Sequence, residues 1–280
     1  MHEGKFVVSG FADEISSDLE TQLDTLDELG IDRLDLRSVD GTGVLDFSDE
    51  QVARVRSALG ERGVEVSAIG SPIGKVGIGD EFEPHFERFE TALERAEQFD
   101  ADYVRLFSYY IPDGDDPADH RSEVIRRMRR KADRAADEDV VLLHENEKDI
   151  YGDTPGRCRD ILTTVDSDSL GAIFDPANFL EIGVDPYPDA LLDVVEYVEQ
   201  LHIKDARKGE RGGIEPAGEG DGSIPAVLAA LGRRGFRGPA SLEPHLAEAG
   251  ENGGLPGPEA YEVATAALRD CLDEAGVRYE

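Results

Sequence analysis

The sequence predicts a single α/β domain of the (β/α)8 TIM-barrel class, from three observations. Eight short apolar segments alternate with segments of helical periodicity along 280 residues. Several apolar segments hold almost no polar residue, which is typical of parallel strands buried on both faces. The segment FADEIS after the first strand has no G-x-G-x-x-G pattern, which disfavours an open dinucleotide-binding sheet. Because about 250 residues suffice for a barrel, we expect residues 1–280 to form one domain.

The predicted strands are short segments rich in Val, Ile, Leu and Phe, the residue types that fill barrel interiors. Alternating strand and helix units form parallel sheets with right-handed crossovers, so each strand should lie beside the next one. In chain order these strands are Lys5–Gly10, Arg33–Arg37, Val64–Ile69, Tyr103–Phe107, Val140–His144, Leu170–Phe174, Val198–Ile203 and Pro239–Leu242.

Between the strands, apolar residues recur every three or four positions, which indicates helices with one buried face. Ser48, with Gln51 three residues later, forms a capping box that predicts the start of the second helix. Thr154 and Pro155 predict the first positions of the fifth helix. The apolar faces are led by Leu19, Val52, Phe82, Val124, Cys158, Leu191, Ile224 and Val263, and the sixth continues through Val194, Val195 and Val198.

Three of the loops that follow strands are long and rich in Gly and Pro. They are loop four (Ser108 to Asp119), loop seven (Ala206 to Ser223) and loop eight (His245 to Pro258). Long loops in a compact domain are usually functional, and the loops after barrel strands build the active site. We therefore expect the site at this end of the barrel.

Composition limits the classes of partner. The chain has 62 acidic and 29 basic residues and a net charge of −33. The acids are spread over helix surfaces, which suggests a halophilic protein kept soluble in high salt and disfavours nucleic acid or an anionic membrane as a partner. The N-terminal sequence lacks the apolar region of a signal peptide, and no apolar run is long enough to span a membrane. We expect a cytoplasmic protein that acts on a small molecule.

Polar residues stand at the ends of four consecutive predicted strands. They are Glu145, Asp175, His202 and Glu243, from strands five to eight. The ends of adjacent barrel strands converge, and a buried carboxylate without a partner is costly. Three carboxylates and one imidazole suit Mn²⁺, Mg²⁺ or Co²⁺ better than they suit a thiolate-preferring metal. The alternative is a salt-bridge network with Lys204 and Arg105; four such groups together favour the metal.

These residues lie in motifs that resemble a known family. The motifs are HEN at 144–146, FDPAN at 174–178, HIKD at 202–205, GEGDG at 218–222 and SLEPH at 241–245. With them, nearly the whole chain resembles the sugar phosphate isomerase/epimerase family, the xylose isomerase-like TIM barrels of the AP endonuclease family 2 superfamily. That family includes ketose 3-epimerases, inosose dehydratases and endonuclease IV.

The resemblance implies that Glu145, Asp175, His202 and Glu243 bind one divalent ion, with Mn²⁺ first and Mg²⁺, Co²⁺ or Zn²⁺ as alternatives. It implies that Glu145 and Glu243 are catalytic and move a proton on opposite faces of a sugar through a metal-stabilised enediolate. The resulting expectation is an isomerase or epimerase of carbohydrate metabolism that acts on a ketose or a polyol-derived ketone. The resemblance also implies a homodimer or homotetramer.

Other polar residues are candidates for substrate binding. Lys204 shares the strand face of His202 and either contacts the substrate or pairs with Asp175. His245 lies two residues beyond Glu243, and Arg105 is either an interior ion-pair partner or a substrate clamp. The resemblance places Glu219 near the pocket. We expect Asp13 and Glu14, which follow the first strand, at the rim of the pocket.

Two departures from the family pattern keep other functions open. Asn178 stands where the family often has His, and an amide cannot transfer a proton. This favours, as an alternative, a metal-dependent lyase or dehydratase on an inosose or a 3-keto-glycoside. The chain has only six histidines, none at the ends of strands three and four, which disfavours an abasic-site endonuclease with three zinc ions. A non-catalytic sugar-binding barrel is the remaining alternative.

Overall fold

The structure, a computed structural model, describes residues 4–210, 212–246 and 255–280. Within this part of the chain, one sheet holds the eight predicted barrel strands, and each strand runs parallel to its sheet neighbours. The strands are β1 (Lys5–Gly10), β2 (Arg33–Leu36), β3 (Glu65–Ile69), β4 (Tyr103–Leu106), β5 (Val141–Glu145), β6 (Leu170–Phe174), β7 (Val198–Ile203) and β8 (Arg237–Leu242).

A ninth strand, Arg278–Tyr279, pairs with β1 on the side that faces β2. The amide of Val8 also donates to the carbonyl of Glu280 over 2.8 Å. Higher in the barrel, the Ser9 hydroxyl joins β1 to Asp35 on β2. The sequence did not predict this strand, because two residues carry too little periodicity to indicate one.

Helices pack their apolar faces on the outside of the sheet, and the resulting core is built mainly from Val, Leu, Ile, Ala and Phe. The capping box of Ser48 and Gln51 is present, whereas the side chain of Thr154 makes no cap hydrogen bond before Pro155. The helices are α1 (Leu19–Leu29), α2 (Asp49–Arg62), α3 (Phe82–Gln98), α4 (Pro117–Ala136), α5 (Pro155–Val165), α6 (Pro176–Glu181), α7 (Leu191–Val194), α8 (Ile224–Arg233) and α9 (Gly257–Ala275).

The sixth helical unit differs from the expectation. Helix α7 ends at Val194, a 3-10 turn covers Val195–Tyr197, and Val198 begins β7 rather than continuing a helical face. Valine is β-branched and favours strands, so its spacing alone was misleading here. The short helix α6, which starts at Pro176, was not predicted at all.

The ends of β4 to β8 that carry the predicted polar residues meet at one end of the barrel. A hairpin of Ser38–Val39 and Thr42–Gly43 and a 3-10 turn at Val44–Asp46 follow β2 and lie beside this end. Most of loop eight lies outside the described residues, as do residues 1–3 and residue 211. Among the helices that are described, none is both long and apolar enough to cross a membrane.

Candidate metal centre

Four buried side chains converge at the carboxyl ends of β5 to β8. Glu145 is the last residue of β5, Asp175 follows β6, His202 lies in β7 and Glu243 follows β8. One nitrogen or oxygen of each lies within 4.8 Å of those of the others. Because all four side chains are buried, their donor atoms face one another rather than water. The sequence-predicted ligand set is therefore brought together in space.

The turn after β6 presents Asp175 in a fixed orientation. Asp175 is the N-cap of α6, and Pro176 follows it as the first helical residue. Its Oδ1 accepts the Asn178 amide over 3.0 Å, whereas Oδ2 has no hydrogen-bond partner and lies 3.0 Å from Lys204 Nζ. Asn146 holds the same turn through a hydrogen bond to the Asp175 amide and another to its carbonyl. One carboxylate oxygen thus caps the helix, and the other faces the cluster.

His202 presents Nδ1 to the two glutamates. Nδ1 lies 3.1 Å from Glu243 Oε2 and 3.3 Å from Glu145 Oε1, yet neither contact has hydrogen-bond geometry. A buried polar atom normally has a hydrogen-bond partner, so an Nδ1 without one at the centre of three carboxylates indicates a place for a cation. Three carboxylates and an imidazole nitrogen are donors that a divalent cation accepts. The residues present therefore fit a metal ion.

Arg105 joins the two glutamates on the other side. Its Nη1 lies 3.2 Å from Glu145 Oε2 and 3.5 Å from Glu243 Oε1. The rest of the guanidinium donates to the carbonyls of Gly70 and Ser71, and it lies over the ring of Phe11. Of the two roles considered for Arg105, the structure shows the interior ion pair.

Neighbouring charges shift the pKa values of all four residues. Burial opposes the charged form of Glu145, but His202 and Arg105 outweigh it and lower its pKa to about 2. Burial likewise opposes ionisation of Glu243, and contact with His202 keeps its pKa well below the usual value. Against the effect of burial, Glu145 raises the pKa of His202 to about 10. Burial raises the pKa of Asp175 to about 6, although Lys204 opposes the shift.

Two adjoining cavities open above the cluster. The inner one, of about 430 Å³, is lined by Glu145, Glu243, Arg105, Lys204 and His245 among others. The outer one, of about 470 Å³, shares Lys204 and His245 and adds Asn178. Such volumes are typical of small-molecule sites. Of the predicted substrate-binding residues, only Glu219 is exposed and outside both linings.

Lys204 and Asn178 are held together between the two cavities. Lys204 Nζ donates to Asn178 Oδ1 over 2.8 Å, and Asn178 Nδ2 donates to Glu145 Oε1 over 3.2 Å. Despite burial, Asp175 raises the pKa of Lys204 above its usual value, so its ammonium stays charged. The ion pair of Lys204 with Asp175, left open by the sequence, is present.

A second group of charges is centred on Arg37, the one member of the group that the sequence analysis missed. Arg37 donates to Asp13 Oδ2 over 2.7 Å and to Glu243 Oε1 over 2.9 Å. Burial first, and then Glu243, raise the pKa of Glu14 to about 8. The amide of His245 donates to Glu14 Oε2 over 2.7 Å. Arg37 directly follows β2, as Glu243 directly follows β8, so the search for polar residues at strand ends could also have selected Arg37.

The GEGDG motif has a structural role. The amides of Gly218, Gly220 and Gly222 all donate to the buried carboxylate of Asp205. A Cβ on Gly220 would lie 2.3 Å from Asp205 Oδ1, so only glycine fits there. The motif therefore wraps loop seven around Asp205, and Glu219 is exposed outside the two cavity linings.

The sequence matches one protein family over residues 23–271, described as xylose isomerase-like TIM barrel. The chain belongs to this family. This match confirms the predicted fold class and the resemblance. Members of the family are mostly enzymes, and they act on small sugars. A comparison with curated proteins found no match.

Solved structures give the same fold at low identity. A xylose isomerase-like TIM barrel protein from Mycobacterium smegmatis in complex with magnesium is 20% identical, with a TM-score of 0.71 and coverage of 96% of this chain and 98% of that one. The IOLI protein with a binding zinc atom is 18% identical, with a TM-score of 0.79 and coverage of 97% and 99%. A D-tagatose 3-epimerase-like protein is 19% identical, with a TM-score of 0.73 and coverage of 96% and 99%.

Proposed function

We propose that the protein is a metal-dependent isomerase or epimerase of a ketose or a polyol-derived ketone. One observation carries the proposal: two buried glutamates, Glu145 and Glu243, both contact His202 and Arg105 at the wall of a cavity of small-molecule size. Paired carboxylates at one reacting carbon can serve as base and acid in turn. Family membership and a structural neighbour named as epimerase-like support this class of reaction.

The protein's own groups divide the work. The lowered pKa values of Glu145 and Glu243 keep both ionised, so either can accept a proton from carbon. Arg105 holds the two carboxylates at fixed separation, and fixed geometry shortens the search for a reactive arrangement. A divalent ion held by Glu145, Asp175, His202 and Glu243 would supply Lewis acidity beside the substrate carbonyl.

Substrate hydroxyls would meet polar groups that line the two cavities. Lys204 is a charged donor, and Asn178 offers an amide that donates and accepts but does not transfer protons. His245 stands between the inner and outer cavities and lies 3.9 Å from Glu243. These groups would orient the sugar while the glutamates move the proton.

Deuterium exchange tests the proposal. A panel of ketoses and inosose-type ketones is incubated with the protein and Mn²⁺ in D₂O, and carbon-bound deuterium is measured by NMR. Uptake that Glu145→Gln and Glu243→Gln each lower by at least about 100-fold is expected for a lost general base. Glu90→Gln, on the outer helix α3 and paired with Arg134, is the matched control and keeps full uptake. No uptake with any ketone would refute the proposal.

A lyase is the second candidate, and Lys204 is the observation that favours it. Its ammonium is charged and lines both cavities, so it could stabilise the negative charge on a leaving hydroxide after Glu145 or Glu243 removes the proton from carbon. A structural neighbour is described as a probable 3-DHS dehydratase, at 19% identity. An enone absorbance that develops without an epimer would identify elimination and exclude epimerisation.

A further inference from the structure

A buried acid, Asp35, lies inside the barrel beneath the candidate metal centre. Asp35 is on β2 and is 2% exposed. The register between β2 and β3 shifts between Leu34 and Asp35, a bulge of the kind that re-aims side chains. A carboxylate in the middle of a barrel strand is costly unless donors surround it, so its neighbours indicate its role.

Donors from three strands hold Asp35 in place. Gln200 Nε2 on β7 donates to Oδ2, as does Ser241 Oγ on β8 over 2.7 Å. Ser9 Oγ on β1 lies 3.3 Å from Oδ1. An amide NH₂ group can only donate, so Oδ2 is an acceptor in this arrangement. Three buried polar residues therefore fix the position of this side chain.

Oδ2, the oxygen that accepts from Gln200 and Ser241, also faces His202. Asp35 Oδ2 lies 3.9 Å from His202 Nε2. Nε2 is buried and has no hydrogen-bond partner, although His202 has no exposed surface from which water could satisfy it. The other ring nitrogen, Nδ1, faces Glu145 and Glu243. The imidazole thus stands between Asp35 on one side and the candidate ligands on the other.

We propose that Asp35 is a positioning residue that takes the Nε2–H of His202 and so directs Nδ1 at the divalent ion. This rests on the metal centre of the proposed function but not on its reaction. A carboxylate facing one ring nitrogen attracts the N–H to that side and leaves the lone pair of the other nitrogen for a cation. Carboxylate partners of this kind orient metal-bound histidines and raise their basicity.

The test uses the intact protein loaded with Zn²⁺, a diamagnetic probe, and labelled with ¹⁵N-histidine. We expect the proton-bearing nitrogen of His202 to be Nε2, with its proton resonance shifted downfield. In Asp35→Asn that resonance moves upfield, and the Kd for Mn²⁺, measured by chelator competition, rises about 10- to 100-fold. Ser241→Ala, which removes one donor but keeps the carboxylate, is the matched control and changes the Kd by less than about threefold.

Each result decides the inference. Zinc bound through Nε2 in the unsubstituted protein would overturn it, and this measurement needs no folded variant. An Asp35→Asn protein that keeps the native circular dichroism spectrum and an unchanged Kd would also overturn it. Absence of any metal binding by the unsubstituted protein would overturn the metal centre and this inference together. Absence of deuterium uptake with the metal bound would overturn only the proposed reaction.

Discussion

In the proposed metal centre, Arg105 and the ion would both pair with the same two carboxylates, so replacing Arg105 gives a sharp prediction. In the structure its guanidinium is the shared cation of Glu145 and Glu243, at 3.2 Å and 3.5 Å. Arg105→Met keeps most of the side-chain volume but removes the charge. Without a divalent ion, two buried carboxylates then lose a counter-charge, whereas a bound ion would replace it. We expect the variant to be strongly destabilised in chelator and much less so with metal.

The structure sets the size of the effect. Coulomb energy falls with the inverse of distance, so the contacts of 3.2 Å and 3.5 Å differ by only about a tenth. Glu243 keeps a second cation, Arg37, at 2.9 Å, so Glu145 is the carboxylate that loses more of its counter-charge. Removing one partner of a buried ion pair costs about 3–5 kcal/mol. His202 remains to neutralise part of the charge, so we expect a loss of about 3 kcal/mol in chelator. Linkage is reciprocal, so Mn²⁺ should stabilise the variant more than the unsubstituted protein by a similar amount.

Urea unfolding with EDTA and with saturating Mn²⁺ measures both quantities. Arg95→Met is the matched control, because Arg95 is equally buried but donates to the carbonyls of Val44 and Phe47 and to Gln98. Its loss of stability should be the same with and without Mn²⁺. If Mn²⁺ rescued both variants equally, or neither, the assignment of Arg105 as a competitor of the metal would be refuted.

Three further predictions concern the rest of the barrel. Burial, and then Arg127, lower the pKa of Lys131 to about 7. Between about pH 7 and pH 10.5 the folded state therefore binds fewer protons than the unfolded state, so the free energy of unfolding rises with pH. Urea titrations across this range should show that rise in the unsubstituted protein and not in Lys131→Met. Asp205→Asn should lower the free energy of unfolding by about 1–3 kcal/mol, because the glycine amides that donate to Asp205 lose an acceptor. Limited proteolysis of this variant should then cut within 207–223, and an uncut loop would contradict the role given to Asp205. With a net charge of −33, the thermal midpoint should rise when KCl increases from about 0.1 to 1 M, as the Debye length falls from about 10 to 3 Å; a falling midpoint would argue against repulsion between surface acids.

The sequence was sufficient to predict the barrel and the four clustered residues for the same reason. Parallel strands of a barrel all end at one face, so polar residues at the ends of consecutive apolar segments must meet. Glu145, Asp175, His202 and Glu243 each satisfy this rule, and their meeting needs no knowledge of loop conformation. The rule predicts that these four residues lie close together, whereas their roles in metal binding and proton transfer have to be tested by experiment.

Other features could not be predicted because they depend on geometry that periodicity does not carry. Asp35 lies in the middle of a strand rather than at its end, so the rule that found the four clustered residues did not select it, and its contacts with Gln200 and Ser241 come from strands distant in the sequence. Glu219 was expected near the pocket from the resemblance, but the glycine amides around it turn towards Asp205. The prediction of a helical face that runs through Val198 was wrong, because apolar spacing in a short segment fits either a helix or a strand.

Cations of the chain itself offset the buried negative charge of the site. Three carboxylates lie in a buried space, and internal cations face them: Arg105 with the two glutamates and Lys204 with Asp175, while His202 takes up a proton between the glutamates. A divalent ion must displace that proton and weaken those pairs, so its affinity is a difference between two sets of interactions. Although the net charge of the chain is −33, cationic side chains lie inside this site. They hold the candidate ligands in position and limit how tightly an ion can bind.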